Sequence, residues 1–448
     1  MPRHLHIGVG NFHLAHQATY TDKVNQRDGT DWFVTGISMR RPNIRDEFAV
    51  SGQVYVLGVR TLQDTHWRRM QVHDQIVVLP ENPLACIDLI SDPETKAVTL
   101  TVTEKAYGAE LDRSIASEVR KLGGAGVPKD FKLTPVALLA LGLSNRAKRV
   151  GHQDGPLPIV CCDNLPSNGQ MLASRVEAFA SLAELSIDRD VAVFPDAMVD
   201  RITPATRPEH RQEALEALGF EHGPVVTTEE FSDWVIQDNL GTHAPNWAAA
   251  GARLVQDVAP YELRKLCMLN GAHSLLAYVG LRSNLTFVHE ATQDPKIAGL
   301  LHAFFRESTR ILPPEVQDTS GEYASALVRR FANSAMKHRL DQIAIDGMTK
   351  MSARLVPVME VSASQGIKCP TAAYAIASWI MWVCEGIWDG QEPDDPALQT
   401  VLANLPVVGR NSAALPNSLL SLVGFPNAAE RQVETALNEI LAKEMRTQ

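Results

Sequence analysis

Cysteine is scarce in this chain, six in 448 residues. That is no disulfide framework, and it fits a reducing compartment. Basic residues are in deficit, with 42 Lys and Arg against 52 Asp and Glu and a formal charge of −10. An acidic surface repels phosphate backbones, so nucleic acid is a poor partner. Long apolar runs are missing. The most apolar stretch, Thr371–Cys384, meets Glu385 before reaching the roughly 18–20 residues a membrane span needs, and reads as a buried helix. The opening MPRHLHIGVGNFHLAHQ has no long apolar segment with a small-residue cleavage site, so no secretory leader is expected. There is no fixed-period repeat and no low-complexity tract. Together these absences point to a cytoplasmic globular protein with no membrane attachment.

What is present is ordinary in bulk. Hydrophobic residues at 45% and charged residues at 21% sit near the average for soluble domains and exclude a disordered, collagen-like or coiled-coil chain. The length suits two or three domains. Before about residue 250, short β-branched runs alternate with helical patterns. Strands are expected at Leu5–Val9, Trp32–Ile37, Ile76–Leu79, Ala97–Val102, Pro158–Cys162 and Ala192–Phe194, and helices at Leu14–Asn25, Leu133–Arg149 and Gln170–Leu185. Such alternation predicts a mainly parallel sheet covered by helices. After Trp247 strand signals nearly vanish. Pro260–Val279, Lys296–Arg310, Tyr323–His338, Ala372–Ile387 and Ala428–Met445 read as helices, broken at Pro313-Pro314, Gly366, Pro370 and Pro393. The expected division is an α/β domain at 1–250 and a mostly α-helical domain at 251–448, packed without a linker and sharing a site.

At the first strand–helix junction stands Gly8-Val9-Gly10-Asn11-Phe12-His13. Glycines there permit a tight turn and let backbone N–H groups approach a pyrophosphate at a helix N-terminus. The pattern is incomplete, because His13 takes the third glycine position of G-x-G-x-x-G. A lone G-x-G at a strand end is also an ordinary turn. The second strand should end near Ser38-Met39-Arg40-Arg41-Pro42-Asn43. An NAD enzyme usually has an acidic residue there for the ribose 2′-hydroxyl, and this chain has none before Asp46 and Glu47. Arg40 and Arg41 either accommodate a 2′-phosphate or are solvated loop charges, which leaves NAD and NADP both open.

The most informative segment is Pro260–His273, PYELRKLCMLNGAH, with proline suited to a helix start. At about 100° per residue, with Lys265 at zero, Glu262 falls at about 60°, His273 at about 80° and Asn270 at about 140°. Four polar groups then share one stripe. A desolvated lysine loses its charge easily and can take a hydroxyl proton while a hydride leaves the carbinol carbon. Asparagine N–H groups can stabilise the developing alkoxide, histidine can orient a neighbouring hydroxyl, and Glu262 can relay the proton to water. The competing reading is the wet face of an amphipathic helix. Tyr261-x-x-x-Lys265 also matches the Tyr-Lys pair of short-chain dehydrogenases, but it lies beyond the whole α/β region and is set aside as chance.

Other candidates carry alternatives of their own. In Cys162-Asp163-Asn164-Leu165-Pro166-Ser167-Asn168-Gly169, Asn164 is either an oxyanion donor at the sheet edge or a turn residue. Asp200 and Arg201 either bind substrate hydroxyls or pair with each other. Lys350, after Asp346-Gly347-Met348-Thr349, either reaches a polar substrate or is a surface lysine. Metal chemistry finds little support, since adjacent Cys161 and Cys162 cannot readily share a zinc ion and no H-E-x-x-H or paired C-x-x-C occurs.

Taken together, the segments HIGVGNFHLAHQ, Thr99–Gly108, CDNLPSNG, FPDAMVDRITPAT, WVIQDN, YELRKLCMLNGAHSLLAYVG and RFANSAMKHRLDQIAIDGMTK resemble the polyol-specific long-chain dehydrogenase/reductase family, which includes mannitol 2-dehydrogenase and fructuronate reductase. The resemblance covers most of the chain in order, and its K-x4-N-x2-H helix is specific. It implies a Rossmann-type N-terminal domain, a helical C-terminal domain and metal-independent hydride transfer, in a protein that is often a monomer. Matched residue by residue, it implies Lys265 as general base, Asn164 and Asn270 as the oxyanion site, His273 orienting substrate and Glu262 relaying protons. Asp200 and Lys350 match substrate contacts, and Gly8, Gly10 and Phe12 match the cofactor turn. Asn11 replaces a glycine often found in that turn, and Pro42-Asn43 stands where some members have the acidic residue that favours NAD. NAD is the family default, with NADP as the alternative. The His338-Arg339-x-x-Gln342-Ile343-Ala344 pattern is similar to the fructuronate branch, where Arg339 either holds a carboxylate bidentately or forms a structural ion pair. CDNLPSNG is similar to the mannitol branch. A neutral polyol ranks ahead of a sugar acid, and a non-catalytic sugar- or nucleotide-binding protein is a remote third reading.

Overall fold

Runs of Val, Ile and Thr bounded by glycine and polar turns form six strands, β1 (Arg3–Ile7), β2 (Phe33–Ser38), β3 (His73–Val78), β4 (Thr95–Leu100), β5 (Leu157–Cys161) and β6 (Ala192–Val193). They make one parallel sheet in the order β3-β2-β1-β4-β5-β6, the doubly wound order of dinucleotide-binding domains. The computed structural model describes residues 1–102, 109–122, 132–150, 155–391, 394–403 and 414–444. Of the segments named above, residues 103–108, Pro393 and Met445 lie outside the described residues. The chain divides into two units, Met1–Ala259 and Pro260–Gln448.

In the first unit the central strands β1, β2, β4 and β5 are dry on both faces. Leu5, Ile7, Ile37, Val98, Leu100 and Ile159 are fully buried, each stabilising by about 1.5–3 kcal/mol. Helices Pro83–Ser91 and Pro135–Arg149 pack together on the sheet. Each has proline in its first turn and a side-chain cap, Asn82 for Ala85 N–H and Thr134 for Ala137 N–H. All six expected strands are present, with ends shifted by up to three residues. The expected helix Leu14–Asn25 is instead two helices, Asn11–Ala15 and Gln17–Asp28, because the chain breaks at His16 with φ −117° and ψ −87°.

Two three-stranded sheets were not expected. In one, Tyr55–Arg60 lies between the parallel Val225–Glu229 and the antiparallel Thr65–Met70. In the other, Asp233–Gln237 lies between Arg253–Val255 and Ala197–Asp200.

Among its described residues the second unit has no strand structure beyond an isolated bridge between Phe287 and Arg339, and its regular elements are helices. Its centre is Gly271–Arg282, buried from Gly271 to Gly280, which packs against Pro295–Arg310 and Pro370–Trp388. The apolar run starting at Thr371 lies in this last helix, whose N-terminus is capped by buried Glu307, accepting from Thr371 N–H at 2.9 Å and Ala372 N–H at 3.0 Å. Among the described residues no helix is long and apolar enough to cross a membrane. The expected helix Tyr323–His338 runs instead from Ser320 to Phe331. Asn333 then caps a short turn by accepting from Ala335 N–H, which takes His338 out of the helix. All six cysteines are free and buried.

Candidate active site

β1 ends where Gly8 adopts φ +98°, a conformation natural only to glycine. A Cβ there would overlap the carbonyl oxygen of Thr101. Gly10 is extended and starts the helix Asn11–Ala15. A Cβ on Gly10 would meet nothing nearer than Gly8 O at 4.0 Å, so this face of the turn is open to a ligand. Gly36 of β2 lets the turn sit close, since its Cβ would press on Val9 at 2.5 Å. Asn11 donates its amide to Thr206 Oγ1 at 3.0 Å, and Phe12 stacks on His16. Both side chains fix the turn. At the third glycine position His13 is fully buried, stacked on His6 and hydrogen-bonded to His73 at 3.0 Å.

Beside this turn, at the carboxyl edge of β1, β2 and β4, lies a cleft of about 630 Å³ lined by Gly8, Val9, Ser38–Arg41, Asn43, Thr101 and Lys132–Pro135 among others. The open glycine cradle and the basic lining fit a nicotinamide dinucleotide at the place where such folds bind one. Ser38 Oγ donates to Arg41 O at 2.7 Å and fixes the loop that carries Arg40 and Arg41, both exposed.

The loop after β5 is tightly built. Asn168 donates to Asp163 O and Ala197 O at 2.9 and 2.7 Å and accepts from Ala197 N–H at 2.9 Å. Asp163 accepts from Val102 N–H at 3.0 Å. These bonds leave Asn164 at the sheet edge with an exposed side chain. Asp200 ends its strand and is buried. Arg201 turns the other way, donating to Ala15 O and to Glu229 O. Burial lowers its guanidinium to about 10.

In the second unit the expected single helix around Lys265 is three pieces: α-helical Ala259–Arg264, a π-helical turn Lys265–Asn270 and α-helical Gly271–Arg282. The uniform 100° wheel therefore does not apply across it. π-turns are rare and recur at functional sites. Lys265 and Asn270 are its first and last residues and are half-buried, as is Glu262. The Asn270 carbonyl accepts from Arg354 at 3.4 Å and from Ser274 at 3.3 Å, and Arg354 also donates to Ser274 at 3.2 Å. Asn270's side-chain amide has no partner among the described residues. Arg264 is buried, bonded to Thr319 and placed over the Tyr323 ring at 4.4 Å. This segment is thus no wet amphipathic face.

His273 is buried against His338 and Phe331, with ring centroids 5.1 and 4.7 Å away. Its Nε2 has no hydrogen-bond partner among the described residues. Burial and the neighbouring His338 hold it well below the usual histidine range. Lys350 donates to the carbonyls of Ile343 and Ile345, and burial and Arg354 hold it below the usual lysine range. Arg339 forms a two-armed ion pair with Asp341 at 2.9 and 2.5 Å. Sequence reasoning missed Arg354 and Lys132, and noted His338 only within a family pattern. Arg354 is four residues after Lys350 on the same helix, and that spacing was the available signal. Among the described residues no three His, Cys, Asp or Glu side chains gather as metal ligands.

Comparison with known proteins adds to this geometry. Residues 2–249 match the mannitol dehydrogenase Rossmann domain and residues 257–440 the mannitol dehydrogenase C-terminal domain. The mannitol 2-dehydrogenase of Cereibacter sphaeroides is 33% identical over 410 residues, covering 88% of this chain and 84% of the relative. The uncharacterized oxidoreductase YeiQ of Escherichia coli is 30% identical over 452 residues, covering 94% and 87%. Among solved structures, Pseudomonas fluorescens mannitol 2-dehydrogenase in a ternary complex with NAD and D-mannitol is 29% identical, covers 99% of this chain and 94% of that one, and superposes with a TM-score of 0.73. Substrate-free D-sorbitol dehydrogenase, 22% identical with a TM-score of 0.84 over 99% and 93% of the two chains, shares the fold. With both domain types matched in order over nearly its full length, this chain belongs to the mannitol dehydrogenase family.

Proposed function

We propose that this family member is an NAD(P)-linked polyol dehydrogenase, interconverting a secondary alcohol and a ketose of the mannitol–fructose type with Lys265 as general base. When bound, the nicotinamide supplies the hydride acceptor. Lys265 takes the hydroxyl proton as the carbinol carbon is oxidised. Asn164 and Asn270 aim amide N–H groups at the oxygen as it gains negative charge. His273 orients a neighbouring hydroxyl, Asp200 and Lys350 hold others, and Glu262 passes the proton on to water. The observation that carries this reading is the π-turn, which has Lys265 at one end and Asn270 at the other, followed by a buried His273 whose Nε2 lacks a partner among the described residues. A buried polar atom left without a partner costs stability, and a substrate hydroxyl would supply that partner.

A neutral substrate is favoured over a sugar acid because Asp341 already occupies the Arg339 guanidinium. Lys265→Ala should lower turnover by about 10²–10⁴-fold while NADH binding, followed by fluorescence, is retained. Unchanged turnover would remove Lys265 as the base. Mannitol, arabinitol, sorbitol and mannonate, each assayed with NAD and NADP, separate the substrate readings. A binding protein would turn over none of them. A chelator should leave turnover unchanged.

A further inference from the structure

Resting on the dinucleotide reading above, we propose that the cleft's adenosine end is built for a 2′-phosphate, so that this protein takes NADP(H) as well as, and more tightly than, NAD(H). Among the described residues no carboxylate lines the cleft, so none of them supplies the acceptor that would hold a free ribose 2′-hydroxyl at the end of β2. The nearest acids in sequence are otherwise engaged. Asp46 pairs with Arg45 at 2.8 Å and Glu47 with Arg211 at 3.1 Å. Arg40 and Arg41, by contrast, line the cleft exposed, their guanidinium groups without a hydrogen bond or ion pair among the described residues. The loop that presents them is fixed by the Ser38–Arg41 bond. The helix Asn43–Val50 follows, with no side-chain cap on its N-terminus, and Asn43 also lines the cleft. Two unpaired guanidinium groups and an uncapped helix start together favour a phosphate dianion over a hydroxyl pair, to which they supply no carboxylate acceptor.

The test is a binding titration of the full chain with 2′,5′-ADP and 5′-ADP, and with NADPH and NADH by fluorescence. The 2′-phosphorylated ligand of each pair should bind at least about tenfold tighter, with the margin shrinking as salt rises. R40A/R41A should weaken 2′,5′-ADP by about tenfold and leave 5′-ADP within about twofold. Arg40→Asp should turn the preference toward NADH. Equal binding of the paired ligands, or a preference that survives R40A/R41A, would overturn the phosphate site alone. Failure of all four ligands to bind would overturn the dinucleotide reading beneath it.

Discussion

The imidazoles of His6 and His13 lie flat on each other, centroids 3.5 Å apart and planes 13° apart, where a dinucleotide turn ordinarily has its third glycine. That glycine normally lets the helix approach the strand. Here one flat ring from β1 and one from the following helix make the close contact, and the two nitrogens of His6 hydrogen-bond with the hydroxyls of Thr99 and Thr101 at 2.7 and 3.0 Å. His13→Ala should leave a cavity and deprive His73 of its 3.0 Å partner. The expected cost is about 2–4 kcal/mol in urea unfolding. A loss under about 0.5 kcal/mol would show that the stack does not hold the turn.

Acid should unfold the first unit early. Burial holds His4 and His73 down to about 3, and His6 and His13 well below the usual range. In the unfolded chain the same groups take protons near pH 6.5. Their contribution is therefore fully present above that pH and is lost as pH falls toward the folded values. The slope is up to about 1.4 kcal/mol per pH unit for each histidine. Urea midpoints measured from pH 7.5 to 5 should fall steeply below 6.5, and a flat profile would mean that the cluster is not neutral.

Asn270→Ala should lower kcat by about 10²–10³-fold with a smaller effect on KM, the mark of a donor that acts on developing charge. Single-turnover hydride transfer is the measurement. Equal changes in ground-state binding and none in kcat would place Asn270 outside the oxyanion site.

The large sheet was legible because its strands are short β-branched runs between turn residues, and β1 is marked further by Gly8 and Gly10. The smaller sheets were not legible. Tyr55–Arg60 takes its parallel partner from Val225–Glu229, and no local pattern announces a pairing over that separation. Lys265, Asn270 and His273 were recognisable as residue types at a spacing, but nothing in the sequence distinguishes a π-turn from an α-turn. The Arg354 bond to Asn270 O depends on that turn and was hidden with it. His13 was visible as a missing glycine, while its partner His6 sits two residues before Gly8 and looked like any strand residue. Arg339 read equally as a carboxylate ligand or as half of an ion pair, and the pair is what forms, with Asp341 two residues on.

The sealed cysteines give this protein a built-in clock. Burial pushes the thiols of Cys86 and Cys267 up to about 12, and raises Cys162, Cys369 and Cys384 as well. Alkylating reagents attack the thiolate, so the native chain should resist iodoacetamide and resist glutathionylation. Cys86, Cys161 and Cys162 lie in one unit and Cys267, Cys369 and Cys384 in the other. Mass spectrometry of pulse-labelled peptides would then time the opening of each half separately, with no engineered probe.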